Sequence, residues 1–435
     1  MISSFFINNF KSFTQAEMPL APLTLLIGAN ASGKSNLLEA IRILAWLAKG
    51  SRLDDLEKSL LNADSLVRGK AGDLFKLPSQ SLELGCQIYG VTEGWDRLSI
   101  EIRLFHDNLV INNERVFQKN EETPLYQVDN GLSLHTEEIS VMYNNFKKGR
   151  NKPHITCSNR QAIFYQLETP GRFNNEHLKA QKIIPMVVKN IRENLRNVIF
   201  LDPHPSVMRD YSYAKDDEMK ENGQNLSSVL YKLSQSEVQK AMLLGFIRSL
   251  PEQDIKDISF IETDRNDVMV RLIESFGNRD RSMDAPLLSD GTLRVLAVGA
   301  TLLSAPEGSL VIIEEIDNGV HPSRAHNLIK QIREIVKERK LQVLLSSHNP
   351  AMLDALPDDA LGDVLCCYRD LQEGDSRVTR LRDLELYPEL VAQGPLGRLM
   401  TQRILDRFLK DKTTAEQRKQ NALDWLRDLQ DEVSK

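Results

Sequence analysis

The chain has few cysteines, and their spacing assigns them no chemistry. Cys86, Cys157, Cys366 and Cys367 form no C-x-x-C pair. This argues against a zinc hook and a disulfide framework and points to reduced thiols in a cytosolic setting. Apolar runs of membrane length are also missing. The stretch from Leu37 to Leu47 is broken by Glu39 and Arg42, and the opening MISSFFINNFKSF lacks the basic n-region and long apolar h-region of a signal peptide. The expectation is a cytoplasmic protein with no membrane partner. There is no excess of positive charge: the formal net charge is -6, which disfavours wholesale coating of nucleic acid. The densest basic cluster, KKGRNK at 147–152, reads as a solvated loop. No internal repeat and no sustained heptad array is present. What remains is ordinary globular composition, 41% hydrophobic and 27% charged over 435 residues. That is enough for one large domain with insertions or for two to three ordinary domains.

Within that frame the pattern alternates between two kinds of strand. Residues 23–27, LTLLI, are a continuous apolar run that suits a strand buried on both faces. A Gly-rich turn follows at 28–33, then an amphipathic helix from Lys34 with Leu37, Leu38, Ile41, Leu44, Ala45 and Ala48 on one stripe. Residues 82–105 instead show period-two alternation on both sides of a loop with Gly90 and Gly94, the mark of antiparallel strands with one wet face. Residues 118–176 read as a polar, weakly structured insertion. Residues 177–250 read as largely helical, with Pro185 kinking or delimiting an earlier helix. Short strands are expected near 258–262 and 268–273. Residues 310–369 return to an α/β pattern: SLVII, a crossover helix, LQVLLSS and DVLCCY. The tail, 396–431, reads as two amphipathic helices, with Thr413 and Glu416 spaced as a capping box.

Four motifs carry chemistry. Gly28-Ala-Asn-Ala-Ser-Gly33-Lys34-Ser35 fits G-x-x-x-x-G-K-[ST]. Its glycines let successive backbone N–H groups point at phosphates, and the following helix N-terminus adds its positive end. Gly28, Asn30, Ser32, Gly33, Lys34, Ser35 and Asn36 are the candidate ATP contacts, with Lys34 opposite the β/γ-phosphates and the Ser35 hydroxyl on Mg²⁺. A chance Gly-rich turn is the bland alternative, and the strand–helix context argues against it. Second, the apolar strand LVII ends in Glu314 and Glu315. Two acids there are costly unless they meet a cation. Glu314 is the candidate metal ligand and Glu315 the residue that orients or deprotonates the attacking water. Third, Ser346-Ser-His348 ends the next strand, which places His348 beside the γ-phosphate as a sensor. Last, Leu288-Ser-Asp-Gly-Thr292 opens an apolar helix. From spacing alone Ser289 is an ordinary N-cap; with the other motifs, Ser289 and Gly291 make a second anion-binding helix start.

Together these segments resemble the ABC-type ATPases of the RecF, SMC and OLD branch, and the compact bacterial AAA-family proteins grouped with them. INNFKSF is similar to that branch's N-terminal strand and turn, LLSDGTLR to the ABC signature, and IEEIDNGVHPSR with LLSSHNP to the Walker B, D-loop and H-loop regions. The resemblance implies a head-to-tail homodimer or higher homo-oligomer, in which ATP on one head is capped by Ser289 and Gly291 of the other, with Lys11 reaching the nucleotide. It also departs from the family. Glu314 stands where an Asp is usual, Asp290 and Thr292 replace the Gly and Gln of transporters, no Q-loop glutamine is evident, and there is neither a long coiled coil nor a TOPRIM nuclease.

The expected fold is therefore an α/β P-loop ABC-type ATPase head with split lobes, an antiparallel β layer and a helical insertion. The N-terminal lobe is placed at 1–176, the helical insertion at 177–255, the C-terminal lobe at 256–385 and a helical tail at 386–435. The resemblance implies an ATP-hydrolysing, Mg²⁺-dependent switch that controls a separate nuclease or toxin effector in prokaryotic antiviral defence, as in PARIS-type and Septu-type systems. A RecF-like DNA-repair ATPase and an ATP-dependent assembly scaffold are the alternatives, the first bringing nucleic acid in as a partner.

Overall fold

The computed structural model describes every residue except 61–65, 91–93, 120, 122, 130–136, 150, 249–254, 277–278, 319–321, 411–416, 418–419, 421–422 and 425–435. Its centre is a six-stranded sheet in the order Val198–Leu201, Leu310–Ile313, Gln342–Ser347, Leu23–Ile27, Leu365–Arg369, Ser376–Arg380. The first five strands run parallel, and the last closes the edge antiparallel. Every residue of Leu23–Ile27 and Leu310–Ile313 is buried, as expected of continuous apolar runs covered on both faces.

Alternate side chains of these strands enter two different cores. Leu26, Ile312, Leu344, Leu365 and Cys367 face helices Lys34–Ala48 and Leu178–Arg196 and the antiparallel layer. Leu25, Ile27, Val311, Ile313, Val343 and Leu345 face helices Leu226–Ser234, Asp290–Ser304 and Ala325–Glu338. The parallel sheet is thus the middle of three layers. The P-loop helix and the helix opened by Ser289 lie on its opposite faces.

The antiparallel layer has eight strands, ordered Phe13–Pro19, Ile2–Phe10, Ser81–Ile88, Arg97–Phe105, Asn108–Phe117, Tyr126–Val128, Glu138–Tyr143 and His154–Ser158. The last three correct the reading of 118–176 as weakly structured. They are short, but their inward residues Tyr126, Val128, Ile139, Val141, Tyr143 and Cys157 are buried. Glu114 anchors the far side of this layer. Fully buried, it accepts hydrogen bonds from Tyr126 Oη (2.6 Å), Ile163 N (2.6 Å) and Phe164 N (2.6 Å).

One further expectation is corrected in part. Pro185 does not delimit a helix: Leu178–Arg196 runs through it, with Ile183, Ile184, Val187 and Val188 buried on either side. Packing on both sides outweighs the hydrogen bond that proline removes. The stretch 177–250 is largely helical, as expected, and also supplies Val198–Leu201, an edge strand of the central sheet. A smaller sheet is formed by Ile255–Glu262, Asp267–Phe276, Arg279–Asp284 and Ser212–Tyr213. The tail gives helices Leu396–Thr401 and Ile404–Lys410; Thr413 and Glu416 lie outside the described residues. No helix among the described residues is long and apolar enough to cross a membrane.

Candidate nucleotide site

Parallel strands gather ligand-binding groups at their carboxyl ends, and three of the four sequence motifs meet there. The loop after Ile27 is seated on the neighbouring strand. Cys367 Sγ donates to Ser32 O (3.3 Å) and Arg369 Nε to Ala31 O (3.1 Å). A Cβ on Gly28 would stand 2.3 Å from Cys367 O, and Gly33, at φ +116°, has Ser376 Oγ at 2.5 Å from where its Cβ would be. Close approach therefore requires glycine at both positions, and at Gly33 the left-handed backbone requires it as well. Lys34 Nζ turns back onto Gly28 O (2.6 Å) and Ala29 O (3.3 Å). Burial lowers the Lys34 ammonium from its usual range, and the carboxylates of Glu315 and Asp317 are close enough to oppose that. Ser35 is exposed at the first helical turn. Asn36 Nδ2 donates to Ser12 Oγ (2.9 Å), which also accepts from Ser376 Oγ (2.8 Å).

The acid turn follows Ile313. Glu314 N donates to Leu201 O (2.9 Å), Glu315 N to Ser346 Oγ (3.0 Å) and Ile316 N to Ser346 O (3.1 Å). Glu315 adopts φ +48°, a strained conformation for a non-glycine residue, and its carboxylate is exposed and held by Asn318 Nδ2. Glu314 turns the other way. Its Oε1 lies 2.5 Å from Arg42 Nη2 on the P-loop helix. Arg42 also pairs with Glu221 and stacks its guanidinium 4.4 Å from the Phe200 ring centroid. Burial raises the Glu314 carboxyl from its ordinary value, against the pull of Arg42.

His348 sits at the end of the adjacent strand, half exposed, with Nδ1 3.6 Å from Asp317 Oδ2. Cys367 and Arg369 are the residues that sequence reasoning passed over. It sets Asp317 aside as the first acid in favour of Glu314 because the apolar run stops at Ile313, and the Asp317 side chain is only 4% exposed. A basic residue at the carboxyl end of the strand beside the P-loop was the signal for Arg369.

Two other candidates stand apart. Lys11 Nζ is taken by Glu39 and by Arg68 O (2.7 Å). Ser289 is exposed and caps its helix, its Oγ accepting from Thr292 N (3.1 Å), with Gly291 in the first turn. It belongs to the helix on the opposite face of the sheet from the P-loop helix.

The donor set fits a magnesium nucleotide. Ser32 Oγ is buried without a hydrogen-bond partner, Lys34 rests on loop carbonyls that an anionic phosphate would replace, and Ser35 presents a hydroxyl at a helix N-terminus. Among the described residues no group of three or more His, Cys, Asp or Glu side chains could hold a metal ion.

A sequence model for the family described as AAA ATPase domain matches residues 1–353. No curated protein matches the chain. Among solved structures, the chain is similar to an SMC head bound to the C-winged helix domain of ScpA, at 14% identity over 87% of this chain and 96% of that one, TM-score 0.49. It is similar to the SMC head domain from Thermotoga maritima, at 12% identity over 87% and 98%, TM-score 0.40. A third is an Smc head domain with an extended coiled coil, bound to the C-terminal domain of ScpA derived from Pyrococcus furiosus, at 12% identity over 90% and 99%, TM-score 0.49.

Proposed function

The chain belongs to the AAA ATPase domain family, and from that premise we propose that it binds ATP with Mg²⁺ on the Gly28–Ser35 loop and hydrolyses it. The observation that carries this reading is geometric: the Gly28–Ser35 loop, with Lys34 Nζ folded onto Gly28 O and Ala29 O, and the acid turn after Ile313, tied by Glu315 N to Ser346 Oγ, follow strands on either side of Gln342–Ser347 at the carboxyl edge of the parallel sheet. In this reading Lys34 leaves the Gly28 and Ala29 carbonyls to counter the β/γ-phosphate charge. The Ser35 hydroxyl, and the Glu314 carboxylate once free of Arg42, would hold the metal. When bound there, Mg²⁺ would supply charge neutralisation on the phosphate oxygens. Glu315, held outward by its left-handed backbone, accepts the proton of the attacking water. His348 stands one strand away to hydrogen-bond the γ-phosphate.

The same proposal extends to assembly. Ser289 is exposed and Gly291 half-buried in the first turn of a helix on the opposite face of the sheet from the P-loop helix, which supports their use as a cap on the nucleotide of a second copy, in an ABC-type head-to-tail pair. ATP-driven engagement then switches a separate nuclease or toxin effector, in the manner of the prokaryotic defence systems that the motifs resemble. The primary test is calorimetric. Lys34→Ala should lose most ATP affinity, and wild-type affinity in that variant would overturn the assignment of the loop.

A further inference from the structure

Asp317 is a buried acid that the proposed reaction has not used. Its side chain is 4% exposed, and its Oδ1 has no hydrogen-bond partner. A buried carboxylate without full satisfaction is expensive, so its retention calls for a partner. Across the turn stands His348, with Nδ1 3.6 Å from Asp317 Oδ2.

The backbone makes this proximity a fixed one. Glu315 N and Ile316 N both donate to Ser346 (3.0 Å to Oγ, 3.1 Å to O), two residues before His348. On the other side, Asn349 N donates to Ser347 Oγ (2.9 Å), and Asn349 Oδ1 accepts from Ala351 N (2.9 Å), capping the helix Pro350–Asp354. His348 is therefore pinned between a buried strand and a capped helix, and the acid turn is stitched to that same strand.

From this geometry we propose that Asp317 is the positioning residue of His348. Its carboxylate accepts the Nδ1 proton, which fixes one imidazole tautomer and leaves Nε2 on the exposed side of the ring to meet the nucleotide. A carboxylate behind an imidazole sets its tautomer and orientation without itself touching substrate. A separation of 3.6 Å is long for a hydrogen bond and within the slack that catalytic pairs show before substrate draws them together. The inference rests on the site being an ATPase site, and its test separates the two claims.

The experiment is nitrogen-15 NMR of the histidine rings in the full chain at pH 8, where an ordinary imidazole is neutral, with His348 assigned by its loss in His348→Ala. The expected result is the Nδ1–H tautomer for His348. An Nε2–H tautomer in the wild-type protein overturns the proposal without recourse to any variant. Asp317→Asn, whose amide can donate to Nδ1, should shift His348 toward Nε2–H. It should also lower kcat by ~10–10²-fold while KM for ATP stays within about twofold. His348→Ala and the double variant Asp317→Asn/His348→Ala should then be equally slow, because Asp317 acts only through His348. Additive losses would make Asp317 a structural residue and overturn the proposal. If wild-type protein turns over no ATP, the ATPase reading falls and the ring tautomer still decides the pair.

Discussion

Arg42 Nη2 stands 2.5 Å from Glu314 Oε1, which ties the helix that follows the P-loop to the first acid of the acid turn across 272 residues of sequence. Neither side chain is more than one-fifth exposed. Removing one partner of such a pair leaves a charge stranded in a poor solvent.

Arg42→Ala is therefore expected to destabilise the fold by roughly 2–3 kcal/mol, below the ~3–5 kcal/mol of a fully buried pair because both groups keep some access to water. Adding Glu314→Gln should restore part of the loss. Urea unfolding of the two single variants and the double variant measures the coupling; strict additivity would show that the pair is not acting as one.

Glu315→Gln should bind ATP like the wild type and hydrolyse it ~10²–10⁴-fold more slowly, the scale for loss of a positioned base. Phosphate release under single-turnover conditions reads this directly. Unchanged turnover would move the role to another acid.

Ser289→Arg should abolish ATP-dependent association, followed by light scattering, by placing bulk and charge where the nucleotide of a second copy is to be capped. A mixture with Lys34→Ala should retain at most one competent site per mixed dimer. If the Ser289→Arg homodimer forms with full ATPase activity, Ser289 is an N-cap and nothing more; as a cap its loss costs only ~1 kcal/mol.

Glu114 predicts a pH dependence. Burial, the dominant influence, pushes its carboxyl from 4.5 up to about 7, against the three hydrogen bonds it accepts. Between those values the folded chain holds a proton that the unfolded chain has released, so stability is greatest at the acid end and falls as pH rises through 7. The full loss is about 3 kcal/mol. Denaturation midpoints from pH 5 to 8 should show this fall in the wild type and not in Glu114→Gln. A parallel slope in both would remove Glu114 as its source.

The parts of the site legible in the sequence are those whose physics is local. LTLLI and LVII are continuous apolar runs, and each hands over directly to the residues it presents, Gly28 and Glu314. The helix of Ser289 announces itself by a cap and an apolar stripe. What the sequence hid is non-local. Tyr126–Val128 has three residues and becomes a strand because Asn108–Phe117 and Glu138–Tyr143 lie on either side of it. The pairing of Glu314 with Arg42 leaves no trace in the spacing of either. The burial of Asp317 depends on Ser346, which holds its turn down. Lys11 looked free to reach a nucleotide because nothing nearby in the chain reveals Glu39 as its partner.

The strand Leu23–Ile27 is flanked in the sheet by Gln342–Ser347 and Leu365–Arg369. The residues that shape the P-loop are made before the strands that wall it in, which lie far along the chain. At ~5–20 residues per second on the ribosome, the nascent chain carries an unpaired apolar strand for tens of seconds before its neighbours emerge. Gln342 seals the arrangement by exchanging two hydrogen bonds with the backbone of Ile2. So long a loop must close before any reward is collected, which makes assembly slow. Nucleotide binding thus reports that these distant strands have been made: a truncated product ending before residue 342 has the whole phosphate-binding motif and no walls to hold it.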